Sequence, residues 1–286
     1  MTLWALILIL VAAFIHATWN LLNKQASGHA TFTWIVAVAS AVLYAPLTIG
    51  MIVVWEIEIG FMQIGLMAGS AALHTAYFLL LNQGYRVGDL SLVYPLARGT
   101  GPLLSSLAAI VFLGERPSWL AMLGTALILA GVALLSFSGA NFRAQGSRRA
   151  IMYALITGLF IAAYTLWDKH AVSRFALSPL ALDWGANLGR AIMLTPFAIH
   201  FWPQTKIEWR EHRYEAISIA ALIPLSYILV LTAMQFTPVS YVAPAREISI
   251  LIGTIMGTRL LAEGDATRRL TAAGAMVLGL IFLAIG

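Results

Sequence analysis

The sequence contains no cysteine. This excludes a disulfide framework, a thiolate nucleophile and any cysteine-bound metal. Charge is scarce as well. Asp, Glu, Lys and Arg make up 10% of the 286 residues, against about 25% in a soluble globular protein. The six histidines are scattered, with no metal-ligand spacing. A phosphate-binding Gly-rich loop, His-Glu-x-x-His and Gly-x-Ser-x-Gly are all missing, so ATP-driven work and hydrolase chemistry lack support. No enzymatic activity and no cofactor are expected.

What is present is apolar. Hydrophobic residues are 60% of the chain, and the mean hydropathy is +0.86. Such a chain has too little polar surface to stay dissolved, which excludes ordinary soluble enzymes, DNA-binding domains and disordered proteins. A multi-pass membrane protein remains. The net charge of +5 would suggest nucleic acid in a soluble protein. Here the cations sit in short connections or inside apolar segments, and no nucleic-acid partner is expected.

A spanning helix needs about 20 mostly apolar residues. Ten segments qualify, over residues 2–22, 31–54, 62–83, 90–113, 118–137, 149–167, 179–201, 215–236, 239–258 and 268–285. The runs are continuous rather than alternating, which argues against a porin-type barrel. The first lacks a basic start and a small-residue cleavage site, so it reads as a span and not as a cleaved signal. Trp4, Trp55, Trp119, Trp202 and Trp209 lie near segment ends and read as an interface belt.

With ten spans, one side of the membrane holds Lys24, Arg86, Arg143, Arg148, Arg149, Lys206, Arg210, Arg213, Arg259, Arg268 and Arg269. The other holds Arg116, Lys169 and Arg174. The positive-inside rule puts the first group in the cytoplasm and both termini outside.

The two halves resemble each other. Asn23-Lys24-Gln25-Ala26 corresponds to Asp168-Lys169-His170-Ala171 at an offset of about 145 residues, and Ser91-x-Val93-x-Pro95 to Ser240-x-Val242-x-Pro244 at about 149. Arg98 pairs with Arg246 and Glu115 with Glu263. The expected fold class is an all-α membrane protein with ten transmembrane helices, arranged as two inverted five-helix repeats over residues 1–140 and 147–286. Five is odd, so the second repeat enters the membrane in the opposite sense. Such repeats expose a central site alternately to each side, which favours a carrier over a channel or an enzyme.

Charges inside a bilayer are costly and point into a cavity or at a partner. Arg98 lies about 13 Å deep at 1.5 Å per residue. Arg190 sits mid-segment, and Arg246-Glu247 about a third of the way along the ninth segment. Arg binds carboxylate or phosphate bidentately, so Arg98 and Arg246 suit an anionic group. The competing reading is internal pairing of either arginine with Glu247, and of Lys169 with Asp168. Lys24 and Lys169 fit snorkelling as well as a site role. Pro95, Gly99, Gly101 and Pro102 surround Arg98, and Pro244 precedes Arg246, so both fourth and ninth helices are expected to break there.

His16, Asn20 and Asn23 form one polar stripe with Trp19 beside it. His74 and Tyr77 are an i, i+3 pair, and Tyr227 aligns with Tyr77. Aromatic walls with a few polar groups suit a small-ligand pocket. The candidate binding residues are therefore His16, Trp19, Asn20, Lys24, Tyr77, Tyr94, Arg98, Arg190, Tyr227, Arg246 and Glu247, around a cavity between the first, third, fourth, sixth, eighth and ninth spans. Asp168 and Glu247 are candidates for ion coupling. Glu115 reads as a cap on the fifth helix. Gly65-x-x-x-Gly69, Gly185-x-x-x-Gly189 and Gly253-x-x-x-Gly257 permit close helix contact.

The stretch from Gly84-Tyr85-Arg86-Val87 through Leu113-Gly114-Glu115-Arg116-Pro117, with Leu127-Ile128-Leu129-Ala130-Gly131-Val132 after it, resembles the EamA family of the drug/metabolite transporter superfamily. Residues 1–26, with His16-Ala17-Thr18-Trp19-Asn20, are similar to a phosphonate-associated subgroup. The second half departs from the pattern at Ala262-Glu263-Gly264-Asp265. The resemblance implies an exporter or exchanger of small metabolites in the inner membrane, and its members often place both termini in the cytoplasm, against the charge count. The expected function is secondary transport of an anionic or zwitterionic metabolite by a monomer in the lipid bilayer. The alternatives are an amino-acid exporter with structural arginines, and a lipid-intermediate flippase or membrane assembly subunit.

Overall fold

In an apolar solvent every backbone N–H and C=O must be satisfied within the chain, which leaves helices for sequences with continuous apolar runs. The computed structural model describes residues 1–25, 30–88, 90–136, 148–258 and 266–286. Among these there are eleven helices and no strand: α1 (Leu3–Gln25), α2 (Ala30–Val54), α3 (Phe61–Val87), α4 (Leu90–Phe112), α5 (Trp119–Ser136), α6 (Arg148–Ser173), α7 (Pro179–His200), α8 (Trp202–Phe236), α9 (Val239–Ala245), α10 (Ile248–Thr258) and α11 (Ala266–Ile285). Among the described residues six stretches are long and apolar enough to cross a membrane: Leu3–Asn23, Ala30–Val54, Phe61–Val87, Arg148–Ser173, Trp202–Phe236 and Val239–Met256. Trp119–Leu135 and Leu270–Ile285 are apolar but shorter. Large apolar side chains such as Phe61, Val54 and Phe112 face outward, whereas Arg98, Asp168 and Glu247 are buried. The polarity is inverted relative to a water-soluble domain, as lipid contact requires.

Small residues set the close crossings. A Cβ on Gly124 of α5 would meet the Gly279 carbonyl of α11 at 2.6 Å, and a Cβ on Gly279 would meet that of Gly124 at the same distance. Gly101 of α4 faces Ile161, and Gly158 of α6 faces Thr100. Gly185 and Gly189 of α7 seat Met67 and Ala71 of α3. Hydrogen bonds then fix rotation. Trp167 Nε1 donates to the Leu66 carbonyl at 2.9 Å, and Trp184 Nε1 to that of Ala41 at 2.9 Å. Ser40 Oγ and Tyr44 OH donate to the carbonyls of Ala220 and Ala221. The packing exchanges halves: α1 lies on α8 and α6 on α3, α2 on α8 and α7 on α3.

Three sequence expectations are corrected. First, α4 runs unbroken past Arg98. A proline removes one i→i−4 bond, which a helix tolerates. The break is confined to the second half, where α9 ends and α10 begins on either side of Arg246-Glu247. There the backbone tightens to i→i+3 bonds, Glu247 N to Pro244 O at 3.1 Å and Ile250 N to Glu247 O at 2.9 Å. Second, residues 202–214, read as a connection because of their charges, are helical, and the run continues into α8 across a kink at His212 (φ −123°, ψ 26°). Third, Glu115 does not cap α5. Its carboxylate accepts the backbone N–H groups of Val239 (2.7 Å) and Ser240 (2.8 Å), at the start of α9. Gly114 permits this turn by adopting φ +69°, a conformation costly for a residue with a Cβ. The corresponding Glu263, and the departure at 262–265, lie outside the described residues.

Candidate functional site

The polar residues of the apolar helices converge on a cavity of about 320 Å³. From α1 come His16, Trp19, Asn20 and Asn23, the stripe spaced at i, i+3, i+4 and i+7. From α3 come His74 and Tyr77, and from α4 Tyr94 and Arg98. Tyr164 of α6, Tyr227 of α8 and Arg246 from the helix break complete one wall. Asp183, Asn187 and Arg190 of α7 form another. The second and seventh helices thus line the cavity, beyond the six spans expected.

Two electrostatic units and a guanidinium held on an aromatic ring occupy this space. Arg98 Nη2 and Glu247 Oε2 form a buried ion pair at 3.1 Å. The arginine is thereby engaged by an internal partner, the alternative raised from sequence. Along α7, Arg190 Nη1 donates to Asn187 Oδ1 at 3.4 Å, and Asn187 Nδ2 donates to Asp183 Oδ2 at 3.0 Å. The amide relays one charge to the other. Arg246 holds its guanidinium carbon 5.5 Å from the centroid of the Tyr227 ring, a cation–π contact. Among the described residues it forms no ion pair within 4.0 Å.

Behind the aromatic wall lies a carboxylate. Asp168 is fully buried and accepts a hydrogen bond from Tyr227 OH at 2.6 Å. His74 Nε2 stands 3.9 Å from the same oxygen. The His74 Nδ1 lies 2.9 Å from the Ser70 carbonyl, which can only accept, so Nδ1 carries a hydrogen and Nε2 is the atom facing Asp168. Neutral imidazole would turn a lone pair on a carboxylate. The pair is satisfied when one proton sits between the two groups, on either member. Tyr164 stacks on His74 at 4.1 Å and Tyr77 meets Tyr164 edge-on at 5.6 Å, which locks the imidazole in place.

Of the residues singled out from sequence, His16, Trp19, Asn20, Tyr77, Tyr94, Arg98, Arg190, Tyr227 and Arg246 line the cavity. Glu247 does not line it and stands behind Arg98. Lys24 lies in the last turn of α1, and its side chain is outside the described residues. Lys169 bonds neither cavity nor Asp168. Its ammonium donates to the carbonyls of Met234 (2.5 Å) and Thr237 (3.1 Å) at the end of α8. Asp183, Asn187 and Tyr164 were missed. Asp183 met the same in-membrane charge rule that singled out Arg190, and Tyr164 stands 145 residues after Trp19, the offset already found for Lys24 and Lys169.

Comparison with known proteins supplies the identity. The EamA-like transporter family matches residues 3–137 and again 148–285. A probable terminal-alkyne amino-acid exporter of Streptantibioticus cattleyicolor is 31% identical over 112 residues, which are 32% of this chain and 36% of the relative. That match spans about a third of the relative's length. A crystal structure of a protein of 14% sequence identity superposes with a TM-score of 0.74 over 98% of both chains, so the fold is shared with a solved structure. With both halves matched, this chain belongs to the EamA-like transporter family.

Proposed function

We propose that this multi-pass membrane transporter is a secondary carrier that moves a small zwitterionic metabolite of amino-acid type across the inner membrane by alternating access. One observation carries the substrate class. Trp19 Nε1, Arg98 Nε and Arg190 Nε are buried at the cavity with no hydrogen-bond partner among the described residues. Three unpaired donors in one space call for a ligand rich in acceptors, because a buried donor left unmet costs about 1–3 kcal/mol. Charge balance narrows the class. With the Asp168–His74 pair deprotonated, Arg98, Arg190 and Arg246 are matched by Asp168, Asp183 and Glu247. An anion added to a balanced site leaves an uncompensated charge in low dielectric, whereas a zwitterion leaves none. Arg246 and the Trp19 N–H would take its carboxylate, and Asp183 its ammonium. The name of the S. cattleyicolor relative supports this reading.

Ten spans in two inverted five-helix repeats, over 1–140 and 147–286, would supply the alternating mechanism. The family match in each half, the exchange-related packing of α1–α8 with α6–α3, and the reciprocal Gly124–Gly279 crossing support it. The Asp168–His74 pair, able to hold one proton, is the candidate coupling device.

Thermal stability of the purified chain tests the substrate class. A panel would contain neutral amino acids, simple carboxylates, phosphonates, phosphate esters and organic cations. A bound ligand at 100 times its Kd adds about 2.7 kcal/mol. Stabilisation by amino acids, lost in both Arg246→Gln and Asp183→Asn, is the expected result. Stabilisation by phosphonates that survives Asp183→Asn would replace the zwitterion with an anion.

A further inference from the structure

A second cavity lies on the outside of the helix bundle, where α2 meets the two arms of the kinked α8. It measures about 570 Å³ and is walled almost wholly by apolar side chains. Val38 and Val42 of α2, Ile217 beyond the kink, and Trp34, Trp202 and Trp209 nearer the connection line it. From Trp34 to Leu43 the groove follows α2 for about 13 Å. Two cations, Lys206 and Arg210, line the same groove.

The segment before the kink is amphipathic in a specific sense. Trp202, Thr205, Lys206, Trp209 and Arg210 follow i, i+3, i+4, i+7 and i+8 spacing, so they share one face. Their rotation is fixed from the other side. Glu208 is buried and accepts a hydrogen bond from Thr31 Oγ1 at 2.6 Å, which turns the carboxylate away from the groove. Lys206 Nζ stands 5.7 Å from the centroid of the Trp202 ring. Lys206 and Arg210 are exposed, and neither forms an ion pair among the described residues. Tryptophan, lysine and arginine beside an apolar channel are the residues of a membrane–water boundary.

We infer that this groove holds one anionic glycerophospholipid, with an acyl chain along Val38 and Val42 and the phosphate on Lys206 and Arg210. Charge complementarity selects the occupant. A lipid with no net charge brings a phosphate already balanced by its own headgroup cation, and so leaves the charge of Lys206 and Arg210 uncompensated. A second copy of the chain would have to bring an acidic group to the same two side chains.

Native mass spectrometry of the intact protein, with phosphatidylglycerol and phosphatidylcholine at equal mole fraction, reads the site. Each basic side chain near anionic lipid is worth about 1 kcal/mol, so two cations predict a preference of roughly 30-fold for phosphatidylglycerol. Lys206→Gln with Arg210→Gln should reduce that preference to nearly none without changing the lipid-free melting temperature, since both side chains are exposed. Ala39→Leu, which fills the groove, should release both lipids alike. Equal retention of the two lipids, or a preference that survives the double substitution, would overturn the inference. Protection by inorganic phosphate alone would also overturn it, as would a lipid-free dimer.

Discussion

At the residue scale, Arg98 and Arg246 look equivalent in sequence and differ in the structure. Arg98 is neutralised by Glu247 at 3.1 Å, whereas Arg246 rests on the Tyr227 ring with no carboxylate within 4.0 Å among the described residues. Removing one member of a buried pair strands the other. Arg98→Gln should therefore destabilise by about 3–5 kcal/mol, and adding Glu247→Gln should recover most of the loss. Thermal melts of the three variants check this. Arg246→Gln should melt close to the parent and lose ligand-induced stabilisation. Asp168 makes a separate prediction. Asp168→Asn removes the acceptor of the proton facing His74, while Tyr227, Ser70 and the nearby arginines remain. Transport by Asp168→Asn in vesicles should stop responding to an imposed pH gradient, with binding retained. An unchanged response would remove the pair from the coupling step. The arginines were legible because a charge in an apolar run is rare and costly. Their partners were not, because pairing depends on which helices meet, and periodicity within a helix does not contain that.

At the element scale, helix existence was legible and helix continuity was not. The ten apolar segments correspond to helices, with the ninth divided into α9 and α10. Two similar proline-containing stretches nevertheless behave differently. The tertiary setting decides, because Glu115 holds the start of α9 and Glu247 at its break is drawn to Arg98. The 202–212 segment was hidden for another reason. Its charges resemble a loop, and only the buried Glu208 and the aligned tryptophans reveal a packed helix face. The Gly114-Glu115 turn now has a mechanical role: the left-handed glycine aims the carboxylate at two free N–H groups of a distant helix. Glu115→Ala should cost about 2 kcal/mol or more, from two charge-assisted bonds. Gly124→Val would overpack the α5–α11 crossing at about 1–3 kcal/mol. A melting temperature unchanged by both substitutions would refute this packing account.

At the scale of the whole molecule, the account rests on pseudo-symmetry and charge. The repeat was visible in matched residues at offsets near 145 to 149, and the exchange of packing partners between halves accords with it. The distribution of cations between loops argues for both termini outside, against the cytoplasmic termini that the family resemblance implies. A C-terminal reporter that fluoresces only in the cytoplasm should stay dark, and a bright signal would reverse the topology. The proposed substrate class was only partly legible. From sequence Arg98 and Arg246 pointed to an anionic group on an anion or a zwitterion, and Asp183, which the zwitterion proposal needs, enters only when α7 is placed against the cavity. The most direct test is counterflow of radiolabelled substrate in proteoliposomes containing the purified chain. The account predicts accumulation of a neutral amino acid, abolished by Arg246→Gln and by Asp183→Asn, with little movement of a phosphonate or a simple carboxylate. Accumulation of the phosphonate with the amino acid excluded would contradict the zwitterion site.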